Sequence, residues 1–459
     1  MSNVQNTRRE HDLLGQVEVP AQAYWGIHTL RAVQNFPLSG RRTDPVLIKA
    51  MGLVKKACCL ANQELKFIDC DRAKAIIAAC EELIAAKLDQ HVLVDALAGG
   101  SGTSLNMNIN EVLANRALEI SGRSKGDYQF LSPLAHVNLH QSTNDVFPTA
   151  IKIACLFKLD GLEGSTAKLQ TAFQEKEKEF AEIIKIGRTE LQAAVPLTLG
   201  AEFSGFAEVL TQDRWRIFKA KERLRVINLG GTAVGTGLAA PRDYIFMAAE
   251  KLRQVSGLNL ARAENLLYAT QNADTFCEAS GIVKTYAADL IKISGDLRLL
   301  NLLGEISLPR LQAGSSIMPG KTNPVILEAV IQARIKALAA DDIVGQCVSR
   351  GSLQINEFLP LIADVFLESL GLLNNSSLML AGHIRGITAD QAVCREYLDN
   401  SPGLITAFLP LIGYEKAQEL LGRWDKNRSL RSFLEENLGK ETVEKTLAPH
   451  NLTSLGYNG

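Results

Sequence analysis

Proline is scarce in this chain, with 14 among 459 residues, and it is clustered. Residues 46–132, 149–195, 197–240, 242–308, 325–359 and 361–401 contain none. Proline breaks helix interiors, so these gaps leave room for long helices. Net charge is nearly absent as well: 49 basic against 50 acidic side chains leave −1. A chain so balanced offers no broad field for phosphates, which argues against nucleic acid as the main partner. No segment supplies about 18 uncharged apolar residues, so no membrane-spanning helix is expected. The most apolar stretch, Gly403 to Ile412, is short and contains Pro410. The opening residues, MSNVQNTRREHDLLG, lack the apolar core of a signal peptide, so a cytoplasmic protein is expected. CxxC pairs are missing too. The eight cysteines are scattered, which points to reduced thiols, mostly in the core, and not to a zinc site.

Apolar residues make up 46% and charged residues 22%, which excludes intrinsic disorder. The length exceeds the ~250–300 residues at which one core stops growing, so two or three domains are expected. Within residues 279–300, Val283, Ala287, Leu290, Ile293 and Leu297 recur at steps of three and four, while Lys284, Asp289, Lys292 and Asp296 fall largely elsewhere. That is one face of a helix. Residues 325–345 and 360–384 read the same way, and strand-like alternation is rare. The expected fold class is mainly α, with helices that need partners along their whole length and hence a homo-oligomer. Turn-rich segments at 126–133 and 385–390 suggest an N-terminal domain (1–143), a central helical domain (144–390) and a small C-terminal domain (391–459).

Five polar, glycine-rich segments stand apart: 99–108, 140–145, 187–192, 230–237 and 312–324. Singly, each reads as a cap or a turn. Together they supply hydroxyls, amides and one lysine, a set suited to a small dianion. The segment Ser315-Ser-Ile-Met-Pro-Gly-Lys-Thr322 imitates a phosphate loop, but serine replaces the first glycine and no buried strand precedes it.

The motif GSSIMPGKTNP (314–324) resembles the GSSxMPxKxNP signature of the aspartase/fumarase superfamily. EHDLLG (10–15), VPAQAYWGIHTLRAVQNF (19–36), GTSLNMNINEV (102–112), HVNLHQSTNDVFPTAI (136–151), GRTELQ (187–192), GTAVGTG (231–237) and GITA (386–389) extend the resemblance over nearly the whole chain, in the family's order. It implies three domains, a central long-helix bundle, and a homotetramer with a twenty-helix core and sites shared between subunits. QSTND (141–145), GIHTLRAVQNF (26–36) and Val325 after Asn323-Pro324 resemble the branch that converts L-aspartate to fumarate and ammonia. The alternatives are a class II fumarase activity, a lyase for an N-substituted aspartate, or a scaffold that has kept the oligomer without the chemistry. No cofactor and no metal are expected.

By the same resemblance, Ser315 is the general base that removes the Cβ proton. The aci-carboxylate so formed must be stabilised where its charge develops. Thr103, Ser142, Thr143 and the 314–320 loop, with Ser316 and Met318, would hold the β-carboxylate. Thr189, Lys321 and Asn323 would hold the α-carboxylate, and Asn144 and Glu190 would face the amino group. Lys321 would also help stabilise a Ser315 alkoxide. Glu190 departs from the family's usual His, and is expected to favour an amino substrate over malate or to turn away to a neighbouring Arg or helix end. Glu328 and Arg31 are supporting candidates: Glu328 could share a proton with Glu190, and Arg31 could serve the site or subunit packing. Ala193, Ala201, Thr322, Leu327 and Leu409 also depart from the family pattern.

Overall fold

The structure, a computed structural model, describes residues 6–456, so the first five residues of the opening MSNVQNTRREHDLLG lie outside them. In chain order its elements are β1 (Thr7–Asp12), β2 (Gly15–Pro20), α1 (Ile27–Asn35), α2 (Pro45–Glu64), α3 (Cys70–Ile84), α4 (Thr103–Ile120) and α5 (Thr143–Glu179). There follow β3 (Ile184–Thr189), β4 (Gln192–Thr198), α6 (Leu199–Leu224), α7 (Arg242–Ser256), α8 (Leu266–Gln271), α9 (Asp274–Leu302), α10 (Val325–Val348) and α11 (Leu359–Arg385). Five short helices close the chain: α12 (Gln391–Asp399), α13 (Leu409–Arg423), α14 (Leu430–Leu438), α15 (Lys440–Thr446) and α16 (Pro449–Thr453).

The proline gaps were a sound guide to length. α5, α6, α9, α10 and α11 run for 37, 26, 29, 24 and 27 residues. Val283, Ala287, Leu290, Ile293 and Leu297 are all buried on α9, while Lys284 and Lys292 are exposed. Pro148 lies inside α5. It has no N–H to give the carbonyl of Asn144, and the side-chain amide of Asn228 supplies that bond instead, at 2.9 Å. Among the described residues, strands are confined to the antiparallel hairpins β1–β2 and β3–β4 and to two-residue pairings at 226–227 with 261–262 and 306–307 with 388–389. No helix among the described residues is long and apolar enough to cross a membrane. The eight cysteines are free thiols, six of them buried.

The chain forms two compact units, each from three separate stretches. Unit 1 comprises 1–162, 216–285 and 335–373; unit 2 comprises 163–215, 286–334 and 374–459. In unit 1, α2 packs against both α3 and α7, and α4 packs against α1 and α3. The start of α1 is held by two buried carboxylates. Glu111 accepts from the backbone N–H groups of Gly26, His28 and Thr29, and Glu10 accepts from that of Ile27. Unpaired amide hydrogens at a helix start attract such carboxylates. In unit 2, Ile186, Leu398, Leu404, Phe408, Leu420 and Leu434 form the core under the C-terminal helices.

Candidate active site

Unit 1 holds Arg31, Thr103, Ser142, Thr143 and Asn144; unit 2 holds Thr189, Glu190, Ser315, Ser316, Met318, Lys321, Asn323 and Glu328. In unit 1 the segment 138–145 turns into α5. Ser142 Oγ accepts from the N–H of Asn144 at 3.2 Å, and Asp145 Oδ1 accepts from the N–H of Ser142 at 3.0 Å. Asp145 is fully buried, and its Oδ2 also accepts from the N–H groups of Gly230 and Thr232. Loss of solvent pushes its carboxyl up to about 6 in spite of these three bonds. One carboxylate thereby ties the serine- and threonine-rich turn to the glycine loop at 230–237, joining two of the five polar segments.

Two polarities follow from fixed partners. Asn144 Nδ2 donates to the backbone carbonyl of Ala233 at 2.7 Å, and a carbonyl can only accept. The other end of that amide, Oδ1, is therefore left to accept, as a bound ammonium requires. Ser142 and Thr143 accept through their oxygens, so their hydroxyl hydrogens remain for an anion. Thr103 is exposed at the first position of α4, preceded by Gly102 with φ +93°. A Cβ on Gly102 would lie 2.2 Å from Phe147 Cδ1, so only glycine lets this turn meet α5.

In unit 2 the 314–323 loop is closed on itself. Gly314 N–H donates to the carbonyl of Lys321 at 2.7 Å, and Asn323 Nδ2 donates to the carbonyl of Gly314 at 2.9 Å. Gly314 permits this approach: a Cβ there would lie 2.9 Å from the Lys321 oxygen. Ser315 Oγ accepts from the N–H groups of Ile317 and Met318, at 3.2 and 3.0 Å. Two amide hydrogens directed at one hydroxyl oxygen favour negative charge on it. The Lys321 side chain is exposed, as are Ser316 and Met318.

Thr189 and Glu190 sit at the tip of the β3–β4 hairpin. Glu190 and Leu191 form its two-residue turn with φ of +51° and +62°. Such turns normally take Asn-Gly or Asp-Gly; two side-chain-bearing residues there hold strain of about 1–3 kcal/mol each. Both are exposed, and Glu190 makes no ion pair or hydrogen bond among the described residues. Strand β3 of the hairpin is anchored by Glu305, which is 0% exposed. Its Oε1 accepts from Arg188 Nη1 at 2.8 Å. Its Oε2 lies 2.8 Å from Lys185 Nζ at an angle too poor for a hydrogen bond, and Lys185 turns its bond to Glu202 Oε2, at 2.6 Å.

No hydrogen bond links Thr189 or Glu190 to the 314–323 loop among the described residues. Glu328, half-buried in the first turn of α10, makes no hydrogen bond with Glu190. Arg31 forms a bidentate pair with Asp12, at 2.7 and 3.0 Å, and keeps that carboxyl below its usual range. Residues not anticipated are Lys55, Asn106, Asn138 and Asp145, which are polar groups behind the Ser142–Asn144 turn. Lys55 had one visible sign, a lysine inside the apolar run Met51–Leu60; Asn106 and Asn138 are indistinguishable by sequence from capping amides.

A family described as Lyase matches residues 15–338. The aspartate ammonia-lyase of Helicobacter pylori is 43% identical, covering 97% of this chain and 98% of the relative. That of Escherichia coli strain K12 is 44% identical, covering 100% and 98%. A fumarate lyase:delta crystallin from Brucella melitensis matches in structure with a TM-score of 0.94 at 42% identity, covering 98% and 100% of the two chains. A class II fumarase from Schistosoma mansoni matches with a TM-score of 0.89 at 31% identity, covering 97% and 98%.

Proposed function

The chain belongs to the lyase family that includes the aspartate ammonia-lyases, and from that membership we propose how it eliminates ammonia from L-aspartate to give fumarate. It is a carbon–nitrogen lyase of the aspartate ammonia-lyase type. The observation that carries the choice of an amino substrate is Asn144. Its Nδ2 is committed to Ala233, so its Oδ1 is an acceptor beside the donor hydroxyls of Ser142 and Thr143. A zwitterionic dicarboxylate suits that combination, because its ammonium meets the acceptor as a charged donor where malate brings only a neutral hydroxyl.

Ser315 takes the Cβ proton. Its oxygen, facing the N–H groups of Ile317 and Met318, is stabilised as the alkoxide that such a base requires. Thr103, Ser142, Thr143 and the 314–320 loop, with Ser316 and Met318, hold the β-carboxylate as it gains its second negative charge. Thr189, Lys321 and Asn323 hold the α-carboxylate. Glu190 adds a negative charge near the leaving ammonium. Glu328 and Arg31 support the surrounding segments, Arg31 through Asp12. The assembly is a cytoplasmic homotetramer of three-domain subunits, divided near 143 and 390, whose sites draw residues from several subunits; no nucleic acid or membrane takes part. An absorbance assay for fumarate with L-aspartate, L-malate and N-substituted aspartates in parallel tests the reading. Aspartate should give the highest kcat/KM; faster turnover of malate would make this a fumarase.

A further inference from the structure

Beneath the Ser142–Asn144 turn lies a buried lysine with no carboxylate in contact. Lys55, on α2, is 0% exposed, and its Nζ donates to Asn138 Oδ1 at 2.9 Å and to Gln141 Oε1 at 2.8 Å. Burial pushes its ammonium down to about 8, with Cys58, Asp145 and Cys80 opposing that shift. Lys55 and the Gln141 carbonyl together set the orientation of Asn138, and the other directions in this network follow from it.

An ammonium has hydrogens and no lone pair, so Asn138 must present its oxygen to Lys55. The Asn138 Nδ2, donating to the Gln141 carbonyl at 3.1 Å, agrees with that orientation. Asn138 Oδ1 also meets Asn106 at 3.2 Å, so Asn106 must present its nitrogen. The second hydrogen of that nitrogen reaches Thr143 Oγ1 at 3.0 Å. Thr143 Oγ1 therefore accepts on its inner side, and its own hydrogen is left for whatever lies outside. Among the described residues nothing accepts that hydrogen. The buried Asn106 Oδ1 is left without a partner. This orientation is kept at the cost of an unsatisfied acceptor, of order 1–3 kcal/mol.

We propose that Lys55 is a positioning residue that acts through Asn138 and Asn106 to make Thr143 a dedicated hydrogen-bond donor to the substrate carboxylate. The inference rests on the assignment of Thr143 to the β-carboxylate made above. It adds to that assignment a reason why Thr143 donates: the direction is imposed from a cation in the core, three hydrogen bonds away. The donor is then already oriented when the aci-carboxylate charge develops, with no rotation needed at that moment.

The test is a double-mutant cycle on the purified full-length enzyme, with size-exclusion profile and thermal midpoint recorded for each variant. Asn106→Asp turns an obligatory donor into an acceptor, so Thr143 should donate inward and leave the substrate. We expect kcat with aspartate to fall at least tenfold, with a smaller rise in KM, because the lost bond is strongest in the transition state. Thr143→Val should cause a loss of similar size. In the Thr143→Val background, Asn106→Asp should then change kcat by less than threefold. Asn106→Ala, which removes the donor without adding charge, carries the same cycle if the aspartate variant does not assemble. Lys55→Met, which removes the cation facing Asn138, should lower kcat in the parent chain but change it by less than threefold in the Thr143→Val background. Additive losses in the cycle, or normal kcat in both Asn106 variants, would overturn the relay while leaving the function standing. Normal kinetics in Thr143→Val would instead overturn the Thr143 assignment, and with it the relay.

Discussion

Gly102→Ala is the substitution whose cost is most directly calculable. Two penalties act at this position. The backbone sits at φ +93°, where an L side chain loses roughly 1–2 kcal/mol. The new methyl would also lie 2.2, 2.4 and 2.5 Å from Phe147 Cδ1, Cγ and Cε1, far inside van der Waals contact. Phe147 is 2% exposed and cannot swing away without moving α5, so overpacking adds about 1–3 kcal/mol. The sum is about 2–5 kcal/mol. Gly100 is the control: its φ is +90°, but the nearest atom to its Cβ is 3.9 Å away. Gly100→Ala should therefore lose only the backbone term. Urea unfolding at one fixed protein concentration, needed because an oligomer's stability depends on it, would compare the two. Phe147→Leu added to Gly102→Ala should recover at least ~1 kcal/mol relative to additivity. Equal costs for the two glycines, within ~0.5 kcal/mol, would refute the claim that Phe147 dictates glycine here. Activity gives a second reading, since Thr103 and Ser142–Asn144 flank the contact and Gly102→Ala should lower kcat/KM where Gly100→Ala does not.

Ser315→Ala should reduce kcat about 10²–10⁴-fold, the usual contribution of a general base, while fumarate still binds in an inhibition or titration experiment; appreciable residual turnover would remove Ser315 from that role. Glu190→Gln and Glu190→His should each lower the preference for aspartate over malate by about fivefold or more, from a charge interaction of ~1–4 kcal/mol at ~4 Å; unchanged ratios of kcat/KM would count against Glu190. Glu305→Gln should destabilise the chain by about 2–4 kcal/mol, somewhat below the 3–5 expected for breaking a buried pair, because Lys185 keeps Glu202. Its check is the thermal midpoint together with a raised KM from a loosened hairpin. His28 has its pKa raised above its ordinary value, chiefly by its hydrogen bond to Glu111. A raised histidine contributes stability that is complete below the unfolded pKa of ~6.5 and disappears as pH rises through the higher folded value. The stability of His28→Gln, followed by urea unfolding from pH 6 upward, should fall less steeply over that range than that of the parent chain.

The long helices were legible because proline spacing and apolar periodicity are properties of local sequence. Residues 325–345 and 360–384 became α10 and α11 with ends within a few residues of the pattern. Glu190 was legible as an anomaly of type but not of shape: nothing in GRTELQ signals a two-residue turn, since neither central residue is glycine, asparagine or aspartate. The donor and acceptor directions around Thr143 were not legible at all. They depend on Lys55 meeting Asn138 across 83 positions of sequence, and no local rule pairs a lysine with a distant amide. Arg31 shows the opposite limit. Its side chain is committed to Asp12, a partner only 19 positions away, yet its motif gave no preference between the site and packing.

The threading of each compact unit from three stretches has a consequence for synthesis. Unit 1 takes its last stretch from residues 335–373, so most of the chain must leave the ribosome before that unit can close. Until then Leu105 of α4 and Phe147 of α5 lack Pro360, Ala363 and Leu367 of α11, which line one cavity with them, and such surfaces are exposed to aggregation in proportion to the wait. Slow elongation before residue 373 should therefore lower the yield of soluble protein, whereas slow elongation after it should matter less to unit 1. A property that looks purely architectural thus sets a timing requirement on the nascent chain.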